Sequence, residues 1–408
     1  MPQQKYDKIL IINSGSSSLK FMLFSMRDET MLAKGMVERI GNKANLVYTR
    51  DNEAKIEQLV TAENHGKALA VVCRMLSDKD RGVVETLSEV QAIGHRVVHG
   101  GEEFKSSVLI TEDVKDSIKT CSDLAPLHNP ANLDGIIACE TVFPGTPNVA
   151  VFDTAFHQSM PKHAYMYAVP MEYYENYGVR KYGFHGTSHK FVAYAAAAYL
   201  QKPLQELNLI TCHLGNGASI AAIQKGQVLD TTMGLTPLPG LIMGTRCGDI
   251  DPALIFFLAR KGHSIDEIDE ALNSQSGLRA VNGLNYNGDM RDTVHAAEQG
   301  KAAAINAINM FGHRAALYIG GYYTLLGGAD AIIFTGGIGE NSAAGRQSII
   351  ARLAAIGCNL DVQRNQACFG VQAVVSSEDS KTPAIVIPTN EELMIARETY
   401  SLLVNNTL

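Results

Sequence analysis

Cysteine is sparse in this chain and poorly spaced for chemistry. The seven cysteines, at positions 73, 121, 139, 212, 247, 358 and 368, form no Cys-x-x-Cys pair. An odd, scattered set offers neither a disulfide framework nor a zinc site, and it fits a reducing cytoplasm. Positive charge is also in short supply: 35 Lys and Arg against 42 Asp and Glu leave a net charge of −7. A nucleic-acid backbone demands a positive field, so no nucleic-acid partner is expected. Anionic substrates would then need their positive charge gathered in one cleft. Long apolar runs are missing as well. The longest, alanine-rich and near Val192–Leu200, falls far short of a membrane span, so no membrane partner is expected. The start, Met1-Pro-Gln-Gln-Lys-Tyr-Asp7, leads straight into a strand without the core of a signal peptide. Low-complexity linkers and charge blocks are absent. So is the Gly-x4-Gly-Lys-[Ser/Thr] loop, and Gly337-Ile-Gly339 does not continue as Gly-x-Gly-x-x-Gly. What remains is 46% hydrophobic and 19% charged, the balance of a folded globular chain, and 408 residues leave room for two domains.

Two glycine-rich turns carry the most information. Lys8–Asn13 and Leu19–Phe24 are apolar runs separated by Ser14-Gly-Ser-Ser-Ser18. About two hundred residues later, Leu209–His213 and Ala218–Ile223 flank Leu214-Gly-Asn-Gly217. Each reads as strand, tight turn, strand, and a turn of Gly, Ser and Asn leaves backbone N–H groups free for phosphate oxygens. The repetition predicts a duplicated α/β core holding a polyphosphate. A third glycine loop, Thr335-Gly-Gly-Ile-Gly-Glu-Asn341, follows the apolar run Ala331–Phe334. Ahead of it, Ile305, Ile308, Phe311, Ala315 and Ile319 recur at helical intervals. Strands alternating with helices in this way argue for α/β architecture.

Charged residues cluster around these turns. Arg96 lies in Gly94-His-Arg-Val-Val-His-Gly-Gly101 and Arg246 in Met243-Gly-Thr-Arg-Cys-Gly-Asp249. A planar, permanently charged fork suits a carboxylate or a transferring phosphoryl group, although either residue alone reads equally well as a surface arginine in a turn. Asp153 ends the apolar run Asn148–Phe152, where α/β sheets place ligands. Asp249 and Asp251 read as caps for a helix starting at Pro252, and Glu391 and Glu392 as first-turn helix acids. His95, His99, His128, His157, His185, His189 and His213 crowd the loops with no zinc-binding spacing. Of these, His185 and His213 read as hydrogen-bond donors to phosphoryl oxygen.

These segments, together with Ala125–Pro130, Val151–His157, Tyr182–His189 and Pro388–Glu392, resemble the acetate kinase family nearly end to end. That family belongs to the acetate and sugar kinase, Hsp70 and actin superfamily. The resemblance implies duplicated ribonuclease H-like domains of the actin/Hsp70 type with an interdomain active-site cleft. Residues 1–154 and 388–408 would form the acetate side, and residues 155–387 the nucleotide-binding domain. It implies Mg²⁺, with Mn²⁺ as a substitute, at Asn13 and Glu391, ATP or ADP as co-substrate, and a homodimer. Lys20, His213, Leu214, Gly215, Asn216, Gly217, Gly337, Ile338, Gly339, Glu340 and Asn341 match nucleotide-binding positions. Asp289, Met290 and Arg291 match the adenosine contacts. Arg96 matches the acetate-binding arginine, Asp153 the catalytic aspartate, and His185 with Arg246 the transition-state pair. Val98, Leu127, Phe184 and Pro237 would enclose the methyl group. Valine at 98 favours acetate, but one methylene is worth only about 1–3 kcal/mol, so propionate should be used less well rather than excluded.

One departure stands out. The family usually runs Ser-Gly-Leu-Leu-Gly-Ile-Ser-Gly-Leu-Ser-Ser-Asp, whereas the segment Ser276–Asp289 is two residues longer. Base selectivity or nucleotide affinity could be altered there. The chemistry of the residues agrees with the family. Acetate is already ionised at neutral pH, so it needs no general base, only relief of repulsion between two anions. On this reading Asp153 orients an arginine or metal-bound water. A propionate or other short-chain carboxylate kinase is the rival within enzymes, and an actin- or Hsp70-like ATPase the rival outside carboxylate chemistry.

Overall fold

The computed structural model of the chain describes residues 6–51, 53–285 and 287–405. The first five residues of the amino-terminal stretch, Tyr286 of the longer loop and the last three residues fall outside them. The chain divides into two compact units, one of residues Met1–Phe156 with Asn390–Leu408, the other of His157–Thr389.

In the first unit eight strands form one sheet. They are β1 (Lys8–Gly15), β2 (Ser18–Ser25), β3 (Thr30–Glu38), β4 (Lys43–Arg50), β5 (Ile56–Thr61), β6 (Ala92–Val97), β7 (Val108–Leu109) and β8 (Asn148–Phe152). The order is β5-β4-β3-β2-β1-β6-β8-β7. β1 to β5 are an antiparallel meander, and β6 and β8 add in parallel beside β1. Helices cover both faces, which is why β1 reads as an unbroken apolar run instead of an alternation. Leu10 and Ile12 pack into one core with Val72 and Cys139 from helices His65–Leu76 and Asn129–Val142. Ile9 and Ile11 face the other way, into a core with Ile395, Ala396 and Leu403 of the closing helix Glu391–Asn405. That helix approaches β6 so closely that a Cβ at Gly94 would stand 2.5 Å from Thr399 Oγ1 and 2.9 Å from Ile395 Cγ2. Only glycine lets the carboxyl-terminal segment dock there, so the closing helix sits where its first turn joins the strand ends of this unit.

The second unit repeats the plan in six strands: β9 (Asn208–Leu214), β10 (Ala218–Gln224), β11 (Gln227–Thr231), β12 (Ala331–Thr335), β13 (Ala373–Val374) and β14 (Ala384–Val386). Their order, β11-β10-β9-β12-β14-β13, has the same directions as β3-β2-β1-β6-β8-β7. The architecture is thus α/β and duplicated, as expected. The 25-residue helix Ala302–Leu326 lies against β10. Its buried stripe is Ala304, Ala307, Phe311, Ala315, Ile319 and Tyr322, while Ile305 is exposed, one step off the face its spacing suggested. Small residues make up much of that stripe because the helix lies close to its neighbours. Of the two capping acids, Asp251 does accept from the Ala253 N–H at 2.9 Å. Asp249 does not cap; it bonds Tyr318 Oη and the Gly240 N–H, fastening its loop to the long helix.

A buried histidine makes the first unit acid-sensitive. His95 on β6 has Nε2 2.7 Å from Asn148 Oδ1, and burial pushes its pKa from 6.5 down to about 4. The unfolded chain takes up the proton at the ordinary value, so this contribution is complete above pH 6.5 and drains away as pH falls toward 4. At most about 3 kcal/mol is at stake. Urea titrations at pH 7 and pH 4.5 should show His95→Gln losing less stability on acidification than the natural chain.

Candidate active site

Two groups of chemistry-bearing residues form at strand ends, one in each unit. In the first unit, β6 and β8 run in parallel and bring Arg96 beside the residue that follows β8. Arg96 grips Asp153 with two prongs, Nη2 to Oδ2 at 2.5 Å and Nε to Oδ1 at 3.3 Å, and Nη1 lies 3.4 Å from Asn13 Oδ1. Asp153 is 1% exposed. Burial works against the charge of Arg96, but Asp153 and Glu391 outweigh it and hold the guanidinium protonated. Register across the first hairpin sets Lys20 opposite Asn13. Glu391, in the first turn of the closing helix, is pushed up to about 7 by burial, with Asp153 and Glu392 adding to the rise and Arg96 and Lys20 opposing it. Asn13, Lys20, Arg96, Asp153 and Glu391 are therefore one electrostatic group.

Two asparagines that sequence reasoning passed over hold this group's loop. Asn132 accepts from the Val98 N–H at 3.0 Å and donates to Ser14 O at 2.7 Å. Asn129 brackets His99 by both its N–H and its carbonyl. Their three-residue spacing at the start of a helix, just after Pro126 and His128, was the available signal. Val98 is buried, while Leu127, expected in a methyl pocket, stands 75% exposed.

In the second unit, a Cβ at Gly217 would stand 3.3 Å from His185 Nε2 and 3.4 Å from Arg246 Nη1. The glycine turn after β9 therefore has the imidazole and the guanidinium above it, side by side. His185 occupies the left-handed region, φ 57° and ψ 24°, ahead of helix Gly186–Leu200. A non-glycine residue held there costs on the order of 1 kcal/mol or more. Its ring stacks on that of His213 at 4.2 Å, and His213 Nδ1 lies 2.8 Å from Ser188 Oγ. His95 and His213 lie on strands and His189 within a helix, not in loops as expected.

Arg246 contrasts with Arg96. Burial alone pulls its pKa below the usual value, and among the described residues the one hydrogen-bond partner of its guanidinium is Met243 Sδ at 4.0 Å. No carboxylate lies within ion-pair distance among the described residues. A half-buried cation without a counter-charge is costly unless an anion arrives to join it.

Beside this pair the unit holds a cavity of about 900 Å³. Gly215 and Asn216 form part of its wall, together with Gly337, Ile338 and Asn341. Asp289, Met290 and Arg291 also line it, and Arg291 pairs with Asp289 at 2.6 Å while Asp289 caps the helix Met290–Glu298. Three segments far apart in sequence thus meet around one space. Other expected contacts are not on its wall. Leu214 is fully buried and Gly339 is buried. Glu340 turns its carboxylate to the Gly336 and Thr389 N–H groups at 2.8 and 3.1 Å. The reason is that Gly336–Asn341 is not an open loop but a short helix, whose first N–H, that of Gly336, Glu340 satisfies. Arg346 was not foreseen either. Completely buried, it donates to the carbonyls of Gly339, Glu340, Asn365 and Cys368, pinning the end of that short helix. Phe184 is buried and Pro237 half-buried in this unit.

A divalent cation would find hard oxygen donors at Asn13 and Glu391, which suit an ion such as magnesium. Among the described residues no cluster of three His, Cys, Asp or Glu forms a complete cage. The donor set fits an ion that brings phosphate oxygens and water as its remaining ligands.

Residues 8–397 match the model of the acetokinase family. The chain belongs to that family. It is 52% identical over 400 residues to the acetate kinase of Natranaerobius thermophilus, covering 97% of this chain and 99% of the relative. The crystal structure of Porphyromonas gingivalis acetate kinase superposes with a TM-score of 0.93 at 41% identity, over 97% of this chain and all of that one. A propionate kinase from Francisella tularensis superposes at 0.90 with 43% identity and the same coverage. Phosphotransfer to a carboxyl group, with ATP or ADP as the other substrate, is the chemistry of the acetokinase family.

If Arg246 waits for an anion, removing it separates activity from stability. Arg246→Met should lower phosphoryl transfer by roughly 100-fold or more. Its thermal midpoint without ligand should equal or exceed that of the natural chain, because a cation with no partner has been replaced by an apolar group of similar length. A large drop in the midpoint would mean that the guanidinium is structural.

Proposed function

We propose that the chain is an acetate kinase, moving the γ-phosphoryl group of ATP reversibly onto acetate to give acetyl phosphate and ADP by direct in-line transfer. The observation that carries the reading is Arg246, a guanidinium without a counter-charge among the described residues, beside His185 over a glycine turn and next to a cavity of nucleotide size. Acetate is its own nucleophile, since carboxyl groups of pKa near 4 are ionised at neutral pH. The barrier lies in bringing an anion onto a polyanion, so positioning and charge stabilisation dominate. Arg96 would take the acetate carboxylate. Asp153, engaged by two prongs of Arg96, holds that fork in place and removes no proton. His185 and Arg246 would donate to the oxygens of the transferring group. The cavity walled by Gly215, Asn216, Gly337 and Asp289–Arg291 would take the nucleotide. Asn13 and Glu391 would hold Mg²⁺, or Mn²⁺ in its place, which when bound neutralises phosphate charge.

Val98, Leu127, Phe184 and Pro237 would enclose the methyl group. A propionate kinase is the second reading, favoured by the likeness to the Francisella enzyme. Acetate, ATP and a second copy of the chain would be its partners. The exposed Leu254, Phe256 and Phe257 of helix Ala253–Arg260, which buries none of its residues, support a homodimer. Seven free cysteines support a cytoplasmic setting. No helix among the described residues is long and apolar enough to cross a membrane.

Acyl phosphate trapped as the hydroxamate, measured across acetate, propionate and butyrate with ATP and GTP, tests the reading. The specificity constant should be highest for acetate, and no carboxylate-dependent signal at all would sink it. Val98→Ala should move the propionate-to-acetate ratio upward by about 10-fold or more, the worth of one methylene. Asp153→Asn should lower turnover by about 100-fold and raise the KM for acetate, as a misplaced clamp does. Near-normal turnover in that variant would rule out Asp153 as the residue that orients Arg96.

A further inference from the structure

His185 is tied to a chain of buried hydrogen-bonding groups in its own unit. Its Nδ1 lies 2.9 Å from Ser219 Oγ, the same hydroxyl lies 2.8 Å from His189 Nε2, and His189 Nδ1 lies 2.7 Å from Thr211 Oγ1. Ser219, His189 and Thr211 are all completely buried, so their hydrogens must be satisfied by one another. Thr211 is the end of the chain. Among the described residues its hydroxyl has one partner, His189 Nδ1, and that nitrogen is the acceptor open to it.

The direction at Thr211 sets every later hydrogen. With Nδ1 accepting, and burial holding His189 neutral, the single ring hydrogen of His189 sits on Nε2 and is donated to Ser219 Oγ. Ser219 must then donate to His185 Nδ1. That nitrogen carries no hydrogen, so the hydrogen of His185 is on Nε2, the atom beside Gly217 and Arg246 Nη1. Run the other way, the chain would leave the Thr211 hydroxyl hydrogen buried with no acceptor, the expensive half of a broken hydrogen bond.

We propose that Thr211, His189 and Ser219 are positioning residues that form a buried tautomer relay, holding His185 neutral with its hydrogen on Nε2 as a donor to the transferring phosphoryl group. The wrong tautomer would aim a lone pair at phosphoryl oxygen, and an imidazolium would add charge beside Arg246 and the stacked ring of His213. The target of the donor rests on the kinase reading above; the tautomer does not.

Two measurements on the full-length protein test the relay. The ¹⁵N spectrum of labelled histidine at neutral pH should show His185 with a protonated Nε2 and a bare Nδ1. Thr211→Val, close in shape but without the hydroxyl, should convert that state into a mixture and lower kcat by about 10- to 100-fold with the KM for acetate and ATP little changed, as loss of a supporting hydrogen bond does. Thr211→Ser should restore both spectrum and turnover. Ser219→Ala breaks the relay at another link and should give the same mixed spectrum. A natural chain with hydrogen on Nδ1 or on both nitrogens overturns the proposal, and so does a Thr211→Val protein with unaltered tautomer or unaltered kcat. A protein with the expected spectrum that phosphorylates no carboxylate would instead remove the kinase reading and leave the relay standing.

Discussion

The guanidinium of Arg246 is drawn partly out of water with no carboxylate among the described residues to balance it. A buried cation is tolerated where its ordinary partner is a ligand, because the cost of desolvation is then recovered on binding. Arg96 in the first unit is arranged oppositely. Asp153 neutralises it and fixes its plane. One arginine is pre-aligned and the other pre-desolvated, and a reaction between two anions has use for both.

The doubled sheet explains why such groups gather at particular places. In each unit a hairpin is followed by parallel strands added on the same side, so polar side chains leave the sheet at the carboxyl ends of parallel neighbours. Arg96 and Asp153 sit there in one unit, and the Gly215–Gly217 turn and the short helix after β12 in the other. Backbone approach then depends on residues without a Cβ. Gly94 admits the closing helix and with it Glu391, while Gly217 leaves space below His185 and Arg246.

Support from behind the reacting groups is as specific as the groups themselves. Asn129 and Asn132 hold the backbone from Val98 to His99, and Arg346 secures the glycine-rich short helix through carbonyls alone. A buried hydrogen-bond network of this kind keeps charged groups within a narrow geometry, as phosphoryl transfer needs.

The duplicated α/β plan was legible in the sequence because strand runs and glycine turns are local signals, and both hairpins lie where the apolar runs put them. The candidate site residues were also picked out there, since arginines, an aspartate and histidines among glycines stand out wherever they occur. Other readings failed for lack of tertiary information. Ile305 keeps helical spacing but faces solvent, Glu340 sits in a nucleotide motif but satisfies its own helix, and Asp249 precedes a helix yet anchors a different one. The amino-acid order by itself determined which chemical groups are present and which segments could become strands, because propensity and spacing act over a few residues. Only the tertiary structure decided which guanidinium has a counter-charge, which residues wall the cavity and which serine directs the hydrogen on His185. Burial and pairing of polar groups are settled by neighbours that the chain brings together from far apart.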